Sequence, residues 1–142
     1  QLLVSDTWTD ETFQRVEGRL KRHPCRIRIE NVDLEAVKRF LGSREEFLLR
    51  LLENPVLLEH EAFTELLRAV FHFNEELQRR PGFSGLPGTD TAHLASDLER
   101  IYSLLIREWL DYMHYLQENY PYLFSFAMRT NPFDETASPV VR

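Results

Sequence analysis

Residues 90–133, DTAHLASDLERIYSLLIREWLDYMHYLQENYPYLFSFAMRTNPF, decide the fold class of this chain. The first thirty positions contain neither proline nor glycine, so they can form one uninterrupted helix. A dense aromatic and apolar stretch follows, and Asn131-Pro132 ends it. One helix cannot bury so much apolar surface alone, so the segment must pack against other helices or another chain. It therefore predicts an all-helical packing unit.

The bulk composition predicts a globular chain of ordinary size. Its 142 residues are 43% hydrophobic and 12% aromatic, which supplies a core without disulfides. The single cysteine, Cys25, excludes an internal disulfide framework and favours a reducing compartment. The net charge of −6 argues against nucleic acid as a partner. We predict one helical domain over 1–133, a disordered tail over 134–142, and a cytoplasmic location.

Helix start and stop signals predict a bundle of five or six helices. Thr9, Asp33 and Asn54 are candidate N-caps. Gly42 is predicted to close the second helix, and Ser43 to begin a capping box for the third. The predicted helices cover residues 10–23, 34–41, 44–53, 55–80, 90–119 and 122–129.

The fourth and fifth helices form the predicted centre of the bundle. The loop between them is rich in proline and glycine and short enough to fold them into a long antiparallel pair. The main apolar stripe of the fifth helix comprises Leu94, Leu98, Ile101, Leu105, Trp109, Tyr112 and Leu116. The alternating stretch at 26–30, RIRIE, has the one good strand pattern. A lone strand needs a partner, so this stretch is either an extended linker or half of an intermolecular pair.

Motifs of catalysis are missing from the sequence. It has no phosphate-binding glycine-rich loop and no nucleophile elbow, and Cys25 lacks an oxyanion loop although basic residues precede it. We therefore predict no catalytic, cofactor-binding or metal-binding residue, no cofactor and no enzymatic activity.

The alternative function is a metal-binding enzyme or sensor with its site between the helices over 55–80 and 90–119. Six residues would hold the metal: Glu59, His60, Glu61, Glu108, Asp111 and His114. His72 and Glu76 lie farther along the first of these helices. Di-iron bundles use Glu-x-x-His on two helices, and this chain has none. Solvated or locally paired side chains are therefore the expected state of these groups.

Two surface features suggest partners. Seven basic side chains crowd a short stretch of an acidic chain, which predicts contact with an anionic membrane surface or an acidic partner, or simply a solvated helix end. The basic patch comprises Arg15, Arg19, Lys21, Arg22, Arg26 and Arg28, with His23 between them. The aromatic residues predicted as core or interface anchors are Trp109, Tyr112, Tyr120, Tyr122, Phe124 and Phe126. They predict a homo-oligomer or a partner protein.

Several phrases of the sequence resemble a known group of proteins. They are LLENP at 51–55, LEHE at 58–61, EWLDYM at 108–113, ENYPYLF at 118–124 and NPF at 131–133. They resemble the soluble portion of bacterial and archaeal membrane proteins described as ion-channel-like. The resemblance implies a cytosolic helical domain attached to a membrane portion, and it transfers no functional residue. The first residue is not methionine, which agrees with a fragment of a longer protein.

The sequence therefore predicts a non-enzymatic interaction or oligomerisation module of a larger, membrane-anchored protein. No apolar run in it approaches the ~18 residues that cross a bilayer. The predicted location is the cytoplasm, with tethering to the inner face of the cell membrane through the longer protein.

Overall fold

The computed structural model describes residues 2–141 of the chain. Within this range it contains seven α-helices, one turn of 3-10 helix and no strand. The helices are α1 (Asp10–Arg22), α2 (Leu34–Ser43), α3 (Glu45–Leu52), α4 (Pro55–Leu58), α5 (Glu61–Gln78), α6 (Gly88–Asn119) and α7 (Pro121–Arg129). The prediction of an all-α helical bundle is confirmed, with one helix more than expected.

The chain divides into two compact units. The terminal unit comprises Gln1–His23 and Ile106–Arg142, and the middle unit comprises Pro24–Leu105. Helix α6 contributes its first part to the middle unit and its remainder to the terminal unit. The prediction of one domain over 1–133 with a disordered tail stays a prediction, and the last tail residue, 142, lies outside the described residues.

Three helix starts follow the local sequence. The Thr9 hydroxyl accepts a backbone N–H at 3.3 Å in the first turn of α1, and the Asp33 carboxylate accepts one at 2.9 Å in α2. The Asn54 side chain accepts a backbone N–H at 3.0 Å, and Pro55 occupies the first position of α4. These three caps confirm the predicted starts, because each satisfies an otherwise unpaired backbone donor.

The predicted junction between the second and third helices is wrong. Helix α2 continues through Ser43, whose hydroxyl donates to the Phe40 carbonyl at 2.7 Å instead of capping α3. Gly42 also does not close the helix. A Cβ at this position would lie 2.8 Å from Nε2 of Gln78, which donates to the Lys38 carbonyl at 2.7 Å. Glycine at this position therefore leaves room for the end of the Gln78 side chain.

The predicted helix over 55–80 is broken in two. Helix α4 ends at Leu58, and His60 adopts an extended backbone conformation before α5 begins. The Thr64 hydroxyl donates to the Leu57 carbonyl at 3.4 Å across this break. The sequence contains no proline or glycine here, so helix stop signals could not reveal it.

The predicted strand is absent from the described residues. Residues 24–28 have no regular structure, and Ile29–Asn31 forms the turn of 3-10 helix. The Ile27 N–H donates to the Glu99 carboxylate at 2.9 Å, and Ile29 packs against the core of the middle unit. Ile29 therefore serves the chain's own core, and the stretch is the extended linker that the sequence allowed.

Helices α5 and α6 form an antiparallel pair in the middle unit. Three pairs of acidic and basic side chains connect the two helices: Glu76–His93 at 3.7 Å, His72–Asp97 at 3.6 Å and Glu65–Arg100 at 3.2 Å. The residue number on α5 decreases from pair to pair while that on α6 increases, so the helices run in opposite directions. This confirms the central pair over the first part of α6. The buried core beside it comprises Leu34, Leu66, Phe73, Leu77, Leu94, Ile101 and Leu104.

The terminal unit has its own core around Phe13. The Trp8 ring packs edge-on against Phe13 with centroids 5.1 Å apart, and the His114 ring stacks on it at 4.5 Å. The other buried apolar side chains of this unit are Val4, Ile106, Leu110, Met113, Leu116 and Phe124. The predicted main stripe of α6 is wrong in its second half, since Leu105 and Tyr112 are exposed.

Arg80 joins the loop after α5 to the start of α6. Its guanidinium donates to Glu76 at 2.6 Å and to Asp90 at 2.7 and 3.1 Å. These hydrogen bonds hold the pKa of both carboxyls below their ordinary values and raise the pKa of Arg80. Because the Arg80 guanidinium keeps its proton at working pH, the ion pairs persist until the carboxyls themselves become protonated in acid.

We expect Arg80→Ala to flatten the acid side of the stability profile. Carboxyls with lowered folded pKa values stabilise the folded chain above their unfolded pKa, and this contribution disappears as pH falls through the folded pKa. The ordinary values are 4.5 for Glu76 and 3.8 for Asp90. Urea midpoints should therefore fall more steeply below about pH 5 in the unmodified chain than in the variant. Parallel profiles would contradict this reading.

Candidate functional site

The predicted anchors fall into three environments. Phe124 is buried in the core, and Trp109 is half-buried with its ring edge-on to Phe133 at 5.1 Å. The other four are exposed: Tyr112 by 53%, Tyr120 by 49%, Tyr122 by 92% and Phe126 by 51%. Phe124 therefore holds the terminal unit together, while the four exposed rings are available to a partner.

The exposed rings belong to a larger aromatic surface of the terminal unit. We use that name for Tyr112, Tyr115, Tyr120, Tyr122, Leu123 and Phe126, all of them exposed. Tyr112 and Tyr115 are three residues apart on α6 and so lie near one another on it. The rings of Tyr115 and Tyr120 are 5.9 Å apart, and a hydrogen bond between their hydroxyls raises the pKa of Tyr115. This contact connects the end of α6 to the start of α7.

Helix α7 presents its part of the aromatic surface by ordinary helical spacing. The exposed large apolar side chains of this helix lie at positions 122, 123 and 126, which are one, three and four residues apart and so share one side of the helix. Phe124 points into the core. Residues 120–128 contain no charged side chain. The Arg129 guanidinium lies 5.7 Å from the centre of the Phe126 ring, and Glu118 is exposed just before Tyr120. The surface is thus apolar, with both signs of charge at its border.

A second exposed apolar feature lies in the middle unit, which we call the α2–α3 groove. Its volume is about 340 Å³, and it is lined by Phe40, Leu41, Arg44, Phe47, Leu48 and Val70. The Phe40 and Phe47 rings are exposed, and the Arg44 guanidinium lies 5.7 Å from the centre of the Phe40 ring. Neither phenylalanine was predicted from the sequence to lie at a functional surface. The groove provides a matched comparison for the aromatic surface.

The six members of the basic patch are all exposed. Arg15, Arg19, Lys21 and Arg22 belong to α1 in the terminal unit, while Arg26 and Arg28 belong to the middle unit. Arg26 lies 3.6 Å from the Glu99 carboxylate, and Arg15 donates to the Thr12 hydroxyl at 3.3 Å. Contact with an anionic membrane surface stays a prediction.

The structure does not form the metal site in the predicted residues. Glu59, His60 and Glu61 are exposed at the break between α4 and α5, where the chain is not continuously helical. His114 instead approaches Asp10 at 2.9 Å and Glu118 at 3.7 Å. Among residues 2–141, neither cluster of metal-ligand type contains Glu59, His60, Glu61, Glu108 or Asp111. The structure therefore does not bring the six predicted residues together as one set of metal ligands.

A different histidine–carboxylate cluster occupies the space between α5 and α6. His72 and Glu76 are four residues apart on α5, and His93 and Asp97 are four apart on α6. Since the helices are antiparallel, the two pairs face each other. The imidazole Nε2 of His72 lies 3.6 Å from Asp97 and 3.8 Å from Glu76, and that of His93 lies 3.4 and 3.7 Å from the same carboxylates.

The two carboxylates of this cluster differ in their other contacts. Glu76 uses one oxygen to accept from Arg80 at 2.6 Å and turns the other toward the imidazoles. Oδ2 of Asp97 is buried and has no hydrogen-bond partner. An unpaired buried carboxylate oxygen is costly, so this atom favours a cationic occupant.

A signal for this cluster was present in the sequence. His-x-x-x-Glu and His-x-x-x-Asp place a nitrogen and an oxygen ligand on one face of each helix. The Glu-x-x-His signature does not describe this spacing, because its carboxylate lies three residues before the histidine, whereas here each carboxylate lies four residues after it. Pairing the two halves also required the helix register, which the sequence does not state.

Comparison with known proteins connects the chain to one family. The family described as "Uncharacterized protein MJ1433, C-terminal helical domain" matches residues 1–129. The protein named "Uncharacterized protein MJ1433" from Methanocaldococcus jannaschii is 52% identical over 133 residues, which cover 94% of this chain and 54% of the relative. The chain thus spans about half the length of the curated relative it matches. No solved structure matches it.

The resemblance to ion-channel-like membrane proteins gains no support from these comparisons. Neither description mentions a membrane or a channel. Among the described residues, every helix is too short or too polar to cross a bilayer. What the comparisons do support is the helical domain itself, which the family description also names.

Proposed function

Because the chain belongs to the family of the MJ1433 C-terminal helical domain, we propose that it is a non-enzymatic interaction module that self-associates through its aromatic surface. The observation that carries the proposal is the exposure of Tyr122, 92%, beside Leu123 and Phe126 in a stretch without charge. Burying such side chains against a partner removes apolar area from water at about 25 cal/mol per Å².

The size of the aromatic surface suits the centre of a protein interface. An aromatic side chain can bury about 150–250 Å², so five rings and one leucine, each about half exposed or more, offer on the order of 500–700 Å². A standard interface buries about 800 Å² on each partner. Tyrosine is also enriched at interfaces, because its ring is apolar and its hydroxyl can pair with donors or acceptors.

A second copy of the chain is the partner that the surface fits best. An isologous dimer places the same patch on both subunits, so the patch must complement itself. Tyrosine hydroxyls donate and accept, which makes them self-complementary. The border carries Arg129 and Glu118, so a second copy offers a charge of the opposite sign to each.

The proposal also covers the place of this module in a longer protein. The chain spans 54% of the M. jannaschii relative, which leaves room for further segments in a protein of that length. We propose that such a protein carries the module on the cytoplasmic side of a membrane. The support is the exposed basic charge on α1 together with the sequence resemblance described above. Hydrophobic spans in the full-length open reading frame would test this part.

A photo-crosslinking experiment tests the self-association. Tyr122 is replaced by p-benzoylphenylalanine, and equal amounts of ¹⁴N- and ¹⁵N-labelled chains are mixed and irradiated. We expect mixed-isotope cross-linked peptides that join position 122 to residues of α6 or α7 in the other copy. Mass spectrometry of the digested product identifies both the isotopes and the sites.

The same photo-reactive residue at position 47 gives the matched control. Phe47 is an exposed phenylalanine in the α2–α3 groove of the middle unit. The proposal predicts few mixed-isotope products from this position. It is overturned if position 122 cross-links only within its own chain, or if position 47 is the main source of intermolecular products.

A further inference from the structure

We propose that His72, His93 and Asp97 form a binding site for a divalent transition-metal ion of the zinc type, with Glu76 at its edge. The three ligand atoms lie within 4.8 Å of one another, and they come from two helices that the cross-helix pairs hold in register. This inference uses the middle unit and does not depend on the aromatic surface of the terminal unit.

The two separations between the imidazoles and the Asp97 carboxylate match the spacing that zinc imposes. Zinc binds nitrogen and oxygen at about 2.0–2.2 Å in tetrahedral geometry, which places neighbouring ligand atoms about 3.3–3.6 Å apart. Nε2 of His72 and Nε2 of His93 lie 3.6 and 3.4 Å from Oδ2 of Asp97. These separations are long for a hydrogen bond but require little movement to close around an ion.

An oxygen of Asp97 that lacks a hydrogen-bond partner supports the site independently. Oδ2 is buried, has no hydrogen-bond partner, and is the atom that both imidazoles approach. A cation in that space would offset the free-energy cost of holding the negative charge of this carboxylate in a buried position. The neighbouring Glu76 adds negative charge at 3.7–3.8 Å from the same nitrogens.

Surrounding residues set the character of the site. Arg80 holds the second oxygen of Glu76, which fixes the orientation of its carboxylate. Arg68 and Arg100 line the same shallow depression beside His72 and Asp97. Arg100 is partly neutralised by Glu65 at 3.2 Å. The nearby positive charge weakens cation binding, so we expect micromolar rather than nanomolar affinity.

The donor set selects the class of metal. Two imidazoles and a carboxylate suit zinc and its neighbours in the transition series, whereas calcium and magnesium require shells of oxygen. The His72 and His93 side chains are about half exposed, which leaves a coordination position open to water. Three protein ligands with an open position are typical of exchangeable or reactive zinc rather than closed structural zinc.

Isothermal titration calorimetry of the metal-free chain with zinc chloride tests the site, because it measures both the stoichiometry and the dissociation constant. We expect one zinc ion per chain with a dissociation constant in the micromolar range, and at least a tenfold weaker response to calcium and magnesium. The double variant His72→Ala with His93→Ala should lose zinc affinity by about 100-fold or more while its circular dichroism spectrum stays helical. Zinc should also raise the melting temperature of the unmodified chain but not of this variant.

Two single variants provide the controls. His60→Ala removes an exposed histidine at the break between α4 and α5, and His114→Ala removes the histidine of the other cluster of metal-ligand type. Both should bind zinc with unchanged affinity. The proposal is overturned if the unmodified chain binds no zinc at millimolar concentration, or if the double variant binds it as tightly as the unmodified chain.

Discussion

Phe73→Ala is expected to lower the free energy of unfolding by about 3–5 kcal/mol. The Phe73 side chain is 1% exposed and lies in the core with Leu66, Leu77 and Leu94. Truncation removes a buried ring and leaves a cavity in the core. Because the cross-helix pairs hold the helices in place, the core can fill this cavity only in part. Since domains are stable by about 5–15 kcal/mol, such a loss is a large fraction of the total. Urea unfolding followed by circular dichroism measures it.

Phe47→Ala supplies the matched control for this prediction. It removes the same side chain from the same unit, but Phe47 is 58% exposed. We expect a cost below about 1 kcal/mol, because little buried area is lost. Similar costs for the two variants would show that the core of the middle unit is not where the structure places it.

Tyr122→Glu combined with Phe126→Glu is expected to weaken self-association by about 100-fold or more. Both side chains are exposed in the single chain, so folding should change little. In the proposed dimer each copy would bury two carboxylates against apolar rings, which is unfavourable without cationic partners. A 100-fold change corresponds to about 2.7 kcal/mol, within the range measured for single central interface residues.

The control for the surface variant introduces the same charges elsewhere. Phe40→Glu combined with Phe47→Glu places two carboxylates in the α2–α3 groove, on residues that are also exposed. We expect this protein to self-associate like the unmodified chain. If the groove variant dissociates and the aromatic-surface variant does not, the groove is the interface and the proposed surface is wrong.

Local capping chemistry was readable from the sequence, and packing was not. Thr9, Asp33 and Asn54 were identified because a cap depends on the side chain and the few residues that follow it. Ser43 satisfied the same pattern, yet its hydroxyl donates backwards into α2. The Gln78 side chain of α5 lies against Gly42, and a contact between residues 36 positions apart leaves no local signal.

The apolar stripe of α6 shows a second limit of sequence reasoning. A single stripe at steps of three and four assumes that one face of the helix is buried throughout. The buried positions of the first part of α6 end at Leu104, and a second set of buried positions begins at Ile106. The change falls at the boundary between the two compact units. Each part of the helix serves a different core, so Leu105 and Tyr112 are exposed although they continue the first series.

The candidate sites were predictable to different degrees. The aromatic density of residues 120–126 was visible, but only the structure separates the buried Phe124 from its exposed neighbours. The histidine–carboxylate cluster was missed as a set, because its members lie 25 residues apart from His72 to Asp97 and meet through the register of two helices. Predicting such a set from sequence requires the cross-helix pairing, which local periodicity does not supply.

Sedimentation equilibrium of the unmodified chain measures self-association without any substitution. We expect the weight-average mass to rise from that of one chain toward that of two as the concentration increases from about 1 to 500 µM, a range that brackets a micromolar dissociation constant. A mass equal to one chain at every concentration would contradict the claim that the aromatic surface binds a second copy.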